Sequence, residues 1–201
     1  RNKIDQIPSI FVSDSKESTL KNLEETFGYP MVLKIPDGSF SIGVKKVSDI
    51  EELKELLLDF LKKSSLVLIQ KFVPTDFDWR IGILRGEALY ACKYFMSRGH
   101  WQIYDHDKTG DDFSGDSETL RIEDVPKHVL DTATKVARLV GNGLYGVDLK
   151  EVDGRAYVVE VNDNPSIDSE VEDLVLGDEL YKKIGRSFIE ANLIKIEGRQ
   201  G

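Results

Sequence analysis

The chain has 201 residues, of which 40% are hydrophobic, and a formal net charge of −9 at pH 7. A chain of this size can bury the core of one or two compact units, and its negative charge argues against a general nucleic-acid or anionic-membrane surface. The one cysteine, Cys92, excludes an intramolecular disulfide framework and a multi-cysteine zinc site, and it fits a reducing cytoplasm.

Residues 1–70 have the pattern of an α+β lobe. Alternating or apolar runs predict short strands, and apolar residues at helical spacing predict two helices. Ser48 and Glu51 form a capping box, which predicts the start of the second helix. The predicted strands cover residues 10–12, 30–35, 44–47 and 66–73, and the predicted helices cover 18–27 and about 50–63.

A hinge at 74–76 precedes a second lobe, for which we expect the range 71–196. The patterns there predict strands at 79–84, 88–96 and 100–104, a polar loop at 105–118, a helix at 126–140, a hairpin at 144–162, and a helical region at 168–195 interrupted near Gly177. The order predicts an α+β fold with antiparallel hairpins. The start without Met and the tail 197–201 are expected to be the ends of a fragment.

Lys34 ends a predicted strand and is followed by a glycine-containing loop. Gly38, Ser39, Ser41 and Gly43 offer backbone N–H groups and hydroxyls to an anion, and the lysine supplies a point charge. The loop matches neither GxxxxGK[ST] nor GxGxxG. It therefore predicts either an unusual phosphate site or an ordinary hairpin turn.

Gln70, Lys71, Phe72 and Val73 end the last strand of the first lobe. An exposed backbone edge there can read an adenine, with the Gln70 amide in addition, although the same pattern also fits an ordinary strand end. Beyond the hinge, Asp78 and Arg80 lie on the same side of a strand, which fits a binding site or a surface ion pair.

The segment 144–165 carries the strongest signal. Odd positions in both of its strands are the more apolar, so they should share the core face, which pairs Asp148 near Glu160 and leaves Asn162 on the same surface. We expect a three-residue connection or a bulge at 153–155, because a two-residue turn would give the wrong register. Two carboxylates and an amide oxygen are suitable ligands for a Mg²⁺ ion that also binds phosphates. The alternative is a hairpin whose polar face is exposed to solvent and binds nothing.

The motifs together resemble those of a known superfamily. VLKIPDGSFSIGV, LIQKFV, DWRIGIL, YGVDL and VVEVNDNP occur in the order found in ATP-grasp enzymes. Roughly residues 8–166 resemble the ATP-binding portion of the branch that contains the ribosomal-protein-modifying glutamate ligases and glutathione synthetases. The resemblance implies an ATP-grasp fold, in which two α+β lobes with antiparallel sheets enclose the nucleotide.

The resemblance also implies roles for individual residues. The implied phosphate and nucleotide contacts are Lys34, Gly38, Ser39, Phe40, Ser41, Gly43, Gln70, Lys71, Phe72, Val73 and Asp78, with Lys3 as an earlier lysine. The implied metal ligands are Asp148, Glu160 and Asn162, for Mg²⁺ or Mn²⁺. We expect Arg80, Arg98 and Lys93 to stabilise the reacting phosphoryl group.

The implied activity is an ADP-forming carboxylate–amine ligation through an acyl phosphate. The substrates would be a carboxylate and an amine from an amino acid, peptide or protein tail, with no nucleic acid or membrane as partner; a homo-oligomer is compatible with the sequence. Ser166 and the stretch 100–104 depart from the family pattern, so substrate identity stays open. The alternatives are a non-catalytic nucleotide-binding module and an EF-hand-like calcium loop at 105–116.

Overall fold

A computed structural model of the chain describes residues 4–36, 43–104, 108–110 and 113–197, without the side chains of residues 192 and 194–197. It contains two antiparallel sheets, each covered by helices. The predicted α+β class with antiparallel sheets is confirmed. Within the described ranges, no helix combines the length and the apolar character that spanning a bilayer requires.

The smaller sheet and two helices form the first lobe. The strand order is β1-β4-β2-β3, with all neighbours antiparallel. Met31 and Leu33 face the helices, so Lys34 projects from the opposite face of its strand. The elements are β1 (Ser9–Val12), α1 (Glu17–Phe27), β2 (Met31–Lys34), β3 (Val44–Val47), α2 (Ile50–Lys63) and β4 (Val67–Lys71).

The larger sheet forms the second lobe, with the strand order β7-β6-β5-β8-β9. Helix α3 covers one face of this sheet, because the apolar stripe of the helix packs on alternate residues of the central strands. The elements are β5 (Phe77–Leu84), β6 (Glu87–Phe95), β7 (Ser117–Leu120), α3 (Lys127–Val140), β8 (Leu144–Val152), β9 (Arg155–Asn162) and α4 (Asp178–Glu197).

The face of the larger sheet opposite α3 carries the polar side chains discussed below, and we call it the front face. The part of the front face formed by β6 is covered by the segment 163–177 and the start of α4, where Leu180 is fully buried against Tyr90 and Cys92. The remainder of the front face lies toward the smaller sheet. Two connections join the sheets: residues 72–76, and an N-terminal stretch in which Gln6 bridges Val158 of β9.

Three predicted elements differ from the structure. Residues 100–104 form bends with a single bridge from Tyr104 to Ser114, because the chain there turns back on itself instead of extending beside β6. The outer strand β7 comes from a stretch that was predicted to be mostly loop. Helix α2 is capped one residue later than predicted: Asp49 accepts the N–H of Glu52 at 2.9 Å.

Candidate functional site

The hairpin of β8 and β9 places the predicted metal ligands on the front face. In the ladder Asp148 lies opposite Glu160, and Gly146 lies opposite Asn162. The amide nitrogen of Asn162 donates to Glu160 Oε1 at 3.1 Å and to Asp148 Oδ2 at 3.4 Å. The predicted pairing of Asp148 with Glu160 is confirmed, and one amide contacts both carboxylates.

The turn of this hairpin is tighter than predicted. Asp153 and Gly154 have φ values of 52° and 70°, and they form a two-residue connection between the paired residues Val152 and Arg155. Asp-Gly suits this connection because both residues accept positive φ. The prediction of a longer connection or a bulge at 153–155 is therefore wrong.

The predicted irregularity exists, but it lies at Val159. Val158 opposes Leu149, whereas Glu160 opposes Asp148, so one extra residue is accommodated between them. A bulge of this kind re-aims the side chains that follow it. It is the bulge, placed beside the site, that brings Glu160 opposite Asp148.

The bulge also corrects the predicted core face of β9. Before it, the residues that join the α3-covered core are Ala156 and Val158; after it, the core residue is Val161. Tyr157 and Val159 were expected on that face and do not belong to the core cluster. The even positions before the bulge and the odd positions after it thus face the same side.

Arg80 on β5 holds Asp148 in a two-armed ion pair. Its Nε donates to Oδ1 at 2.5 Å and a terminal nitrogen donates to Oδ2 at 2.8 Å, with the two side chains only 19% and 16% exposed. Burial raises the pKa of Asp148 to about 6, against the opposing influence of Arg80. Among the described residues Oδ1 accepts only from Arg80 and therefore keeps a second lone pair, so the ion pair orients Asp148 without using up its capacity as a ligand.

A second buried ion pair lies one step along the same face. Lys150 Nζ donates to Asp78 Oδ1 at 2.6 Å and to Thr75 Oγ1 at 2.7 Å, and the hydroxyl of Thr75 donates to the same Asp78 oxygen at 3.0 Å. Sequence reasoning chose Asp78 but missed Lys150. The alternation of side chains along β8 could have identified Lys150, because residues 146, 148 and 150 lie on the same face of a strand.

Lys34 approaches these acids from the smaller sheet. Its side chain makes no hydrogen bond or ion pair with any residue in the described part of the chain. Burial lowers the pKa of Lys34, while the nearby carboxylates of Glu160 and Asp78 act in the opposite direction. The predicted phosphate lysine therefore lies within electrostatic reach of the predicted metal ligands.

The loop after Lys34 is described only at its ends. Gly43 has a φ of 78°, and its carbonyl accepts the N–H of Ile35 at 3.2 Å, which closes the loop at its base. The predicted contacts Gly38, Ser39, Phe40 and Ser41 lie outside the described residues, as does Lys3.

The residues predicted to read the adenine, 70–73, have different surroundings. Gln70 is 6% exposed, and its amide nitrogen donates to Ser9 Oγ at 3.0 Å, so its side chain ties β4 to β1. Lys71 is exposed, and its N–H donates to the carbonyl of Pro8. Val73 lies beyond the ladder, in the segment that leaves the smaller sheet.

Phe72 contributes to an aromatic contact between the lobes. Its ring meets the ring of Trp101 edge to face at 5.8 Å, and Lys46 Nζ lies 4.7 Å from the Phe72 centroid and 5.3 Å from that of Trp101. Such contacts between a cation and an aromatic face are attractive. They join β3, the hinge and the loop 96–104 on one side of the cleft.

The other two predicted catalytic cations, Lys93 and Arg98, lie in different surroundings, and only the position of Lys93 contradicts its predicted role. Lys93 pairs with Trp79 in the ladder and therefore lies on the α3 face, where it forms an ion pair with Glu118 at 2.9 Å. Its predicted role is not supported, because the sheet separates it from Asp148. Arg98 is exposed on the loop that borders a cavity of about 350 Å³ beside the hinge.

Sequence reasoning also missed a buried polar group next to Arg80. Tyr94 donates a short hydrogen bond to Glu172, which is 0% exposed, and the ring of Tyr94 lies 5.5 Å from the guanidinium carbon of Arg80. Glu172 comes from the segment 163–177, in which no periodic pattern marked it. Only the tertiary contact distinguishes it from the other acids of that segment.

The donor set fits a hard divalent cation bound together with a phosphate. Among the described residues no group of three or more His, Cys, Asp or Glu side chains could hold a metal by itself. Asp148, Glu160 and Asn162 instead offer two carboxylates and an amide, whose oxygen and nitrogen can exchange places by a flip. Mg²⁺ is commonly held by one or two carboxylates, with substrate phosphates completing its shell.

The segment from 105 to 116, which resembles a calcium loop, lies partly outside the described residues. That alternative remains a prediction.

Comparison with known families gives one match over most of the chain. Residues 7–171 match the model described as D-ala D-ala ligase C-terminus. This range includes all of the predicted site residues except Lys3.

Similar curated proteins include several ligases. D-alanine–D-alanine ligase of Aquifex aeolicus is 30% identical over 142 residues, which are 69% of this chain and 47% of that protein. Alpha-aminoadipate–LysW ligase LysX of Sulfurisphaera tokodaii is 30% identical over 166 residues, which are 80% of this chain and 54% of that protein. A probable alpha-L-glutamate ligase of Psychromonas ingrahamii is 24% identical and covers 77% of this chain. The chain spans about half the length of these relatives.

Solved structures share the fold. The D-alanine–D-alanine ligase from Bacillus anthracis superposes with a TM-score of 0.76 at 24% identity, covering 98% of this chain and 65% of that one. The same enzyme complexed with ATP gives a TM-score of 0.74 at 21% identity, covering 96% and 64%. The ATP-grasp ligase PsnB with its minimal precursor gives 0.58 at 19% identity, covering 82% and 48%. The two-lobed α+β architecture is therefore an ATP-grasp fold.

Proposed function

This chain belongs to the D-ala D-ala ligase C-terminus family of the ATP-grasp superfamily, and on that premise we propose that it is the nucleotide-binding part of an ATP- and Mg²⁺-dependent carboxylate–amine ligase. The resemblance to the glutamate ligase branch supports an amino acid, a peptide or a protein tail as substrate. The consumption of ATP supports a cytoplasmic location.

One observation carries the proposal. Lys34 of the smaller sheet, which has no ionic partner among the described residues, faces a group of acids on the larger sheet that includes Asp148 and Glu160. A phosphate tail with a divalent cation would satisfy both sides, because the cation binds the acids and the lysine binds phosphate oxygens.

The proposed reaction proceeds in two steps. A substrate carboxylate oxygen attacks the γ-phosphorus of ATP, the bond to the bridging oxygen breaks, and ADP leaves with that electron pair. The amine nitrogen then attacks the carbonyl carbon of the acyl phosphate, phosphate departs, and the amine loses a proton. The products are an amide, ADP and phosphate.

The residues of the chain contribute charge and position to this reaction. Asp148, Glu160 and Asn162 would hold Mg²⁺, which supplies neutralisation of the phosphate charge. Lys34 would bind phosphate oxygens, and Arg80 keeps Asp148 in a fixed orientation. Lys150 and Thr75 hold one oxygen of Asp78; the other has no partner among the residues that the structure describes and would accept from a nucleotide hydroxyl.

Product formation tests the proposal most directly. The complete protein is incubated with ATP, Mg²⁺ and pairs of candidate carboxylate and amine substrates, and ADP release is measured. ADP formed in a ratio of one per amide, and only with both substrates present, supports ligation. Tight nucleotide binding without ADP release under all pairs would instead identify a non-catalytic module.

The metal site is tested by removing one charge. We expect Glu160→Gln to weaken Mg²⁺-dependent binding of a non-hydrolysable ATP analogue by about tenfold or more, measured by calorimetry, which is about 1.4 kcal/mol. Glu87→Gln is the matched control, because Glu87 is an exposed acid at the far end of the same sheet. Equal affinities of the two variants would contradict the predicted ligand role.

A further inference from the structure

Glu172 is a buried carboxylate for which the proposed reaction has no direct use. It is 0% exposed, and it forms no ion pair with a cation in the described part of the chain. Its two oxygens accept hydrogen bonds from the hydroxyl of Tyr94 and from the backbone N–H of Asp168, the latter at 2.8 Å. Burying a carboxylate is costly unless such partners are held in place, so this arrangement must be well ordered.

The contacts of Tyr94 continue toward the predicted metal ligands. Tyr94 lies opposite Asp78 in the ladder, and therefore on the front face, with its ring against the guanidinium of Arg80. Arg80 in turn makes both arms of its ion pair with Asp148. An unbroken series of contacts thus runs from the segment 163–177 to the metal site.

Each contact in this series orients the next one. The hydrogen bond to Glu172 holds the phenol oxygen of Tyr94 in place, which restrains the position of the ring. The face of the Tyr94 ring attracts the Arg80 guanidinium, whose carbon lies 5.5 Å from the ring centroid while its N–H groups donate to Asp148. Burial and the nearby Glu172 carboxylate raise the pKa of Tyr94, so its hydroxyl stays protonated and keeps donating.

A second anchor holds the same segment without touching Arg80. Thr119 on β7 donates from Oγ1 to the carbonyl of Val171 at 2.6 Å, and Cys92 Sγ lies 3.3 Å from the same hydroxyl. The segment is therefore attached to the sheet at two neighbouring points. Of these two hydrogen bonds, the one through Glu172 leads by way of Tyr94 to Arg80, and the one through Thr119 ends at the sheet edge, which makes Thr119 a control.

We propose that Glu172 and Tyr94 are positioning residues that hold Arg80, and through it Asp148, in the orientation required for binding the divalent cation and the nucleotide phosphates. The segment 163–177, which follows the last ligand strand, is thereby coupled to the nucleotide site. This inference rests on the proposed function.

The first experiment compares Glu172→Gln, Tyr94→Phe and Thr119→Val in a titration of Mg²⁺ at a fixed concentration of a non-hydrolysable ATP analogue. We expect both Glu172→Gln and Tyr94→Phe to raise the half-saturating Mg²⁺ concentration by about tenfold. Thr119→Val should lower the thermal midpoint while it leaves the Mg²⁺ dependence unchanged. If all three variants shift the Mg²⁺ dependence equally, or if none does, positioning by Glu172 is wrong.

A second experiment is independent of ligand binding. Urea unfolding is measured for Glu172→Gln, Arg80→Met and the double variant, and the same set is made with Thr119→Val in place of Glu172→Gln. Positioning predicts that the effects of Glu172→Gln and Arg80→Met are not additive, whereas those of Thr119→Val and Arg80→Met are. Additivity in both cycles would overturn the inference.

The two experiments also separate this inference from the proposed function. If the unaltered protein shows no Mg²⁺-dependent nucleotide binding, the proposed function fails, and the urea cycle still reports on the coupling of Glu172 with Arg80. If nucleotide binds normally and the cycle is additive, the proposed function stands and the positioning role fails.

Discussion

The two sheets present their charges to the cleft in opposite ways. On the larger sheet Arg80 is paired with Asp148 and Lys150 with Asp78, each pair at hydrogen-bonding distance and largely buried. On the smaller sheet Lys34 is partly buried and has no such partner among the described residues. The ion pairs fix the positions of Asp148 and Asp78, whereas Lys34 has no such restraint among the described residues, and we propose that it binds phosphate.

This difference predicts different costs of substitution. Removing one member of a buried pair leaves the other charge desolvated and unpaired, which lowers the free energy of unfolding. Removing a buried charge that has no partner relieves a desolvation cost instead, and the loss then falls on ligand binding. Substitutions on the two sheets should therefore separate stability from affinity.

The largest expected effect is a loss of stability when an ion pair of the larger sheet is broken. Arg80→Met should lower the free energy of unfolding by about 3–5 kcal/mol, because Asp148 is left buried without its cation. Urea denaturation measures this change. Arg121→Met is the control, since the side chain of Arg121 is 70% exposed and its contact with the equally exposed Glu123 is 3.8 Å long. Equal effects of the two substitutions would contradict the distinction between paired and solvated charges.

An intermediate effect is expected for Lys34 on the smaller sheet, and it is an effect on nucleotide affinity. Lys34→Met should weaken binding of an ATP analogue by about 10-fold to 100-fold while stability stays constant or rises. Calorimetry measures the affinity and urea denaturation the stability. Lys45→Met serves for comparison, because Lys45 is exposed on the neighbouring strand. A loss of stability in Lys34→Met would show that its ammonium has a structural partner after all.

The smallest effect is expected at Gln70, where the structure argues against an earlier expectation. Gln70→Leu should cost about 1 kcal/mol of stability, since it removes one buried hydrogen bond to Ser9. Preference for adenine over guanine nucleotides should not change, because the amide is occupied within the smaller sheet. A changed base preference in competition binding would restore Gln70 as a reader of the base.

Local patterns were sufficient for much of the fold. The helices α1, α2 and α3 and most strands follow from apolar periodicity, because alternation and helical spacing are set by backbone geometry alone. The exceptions are instructive. Residues 100–104 alternate like a strand yet form only a single bridge, since a strand needs a partner along its length.

The bulge at Val159 was predicted to exist from the alternation of residues along the two strands, but its position was not. Counting positions required one extra residue between Asp148 and Glu160, and the structure contains it. The count could not locate it, because any position between the two acids satisfies the same arithmetic. The Asp153–Gly154 turn is stable as a two-residue connection, so the irregularity is displaced toward the site.

The sequence by itself determined that Asp148 and Glu160 share a face of the hairpin, because the adjacent apolar residues Val147 and Val161 pack in the core on the other side of the sheet. Tertiary structure decided that Arg80 lies opposite Asp148, that Lys93 is turned to the far face, and that Glu172 is buried against Tyr94. These contacts join residues far apart in the chain, and they depend on which strands become neighbours and what packs over them. Which strands become neighbours depends on burial of the whole hydrophobic core, and no local sequence pattern contains this information.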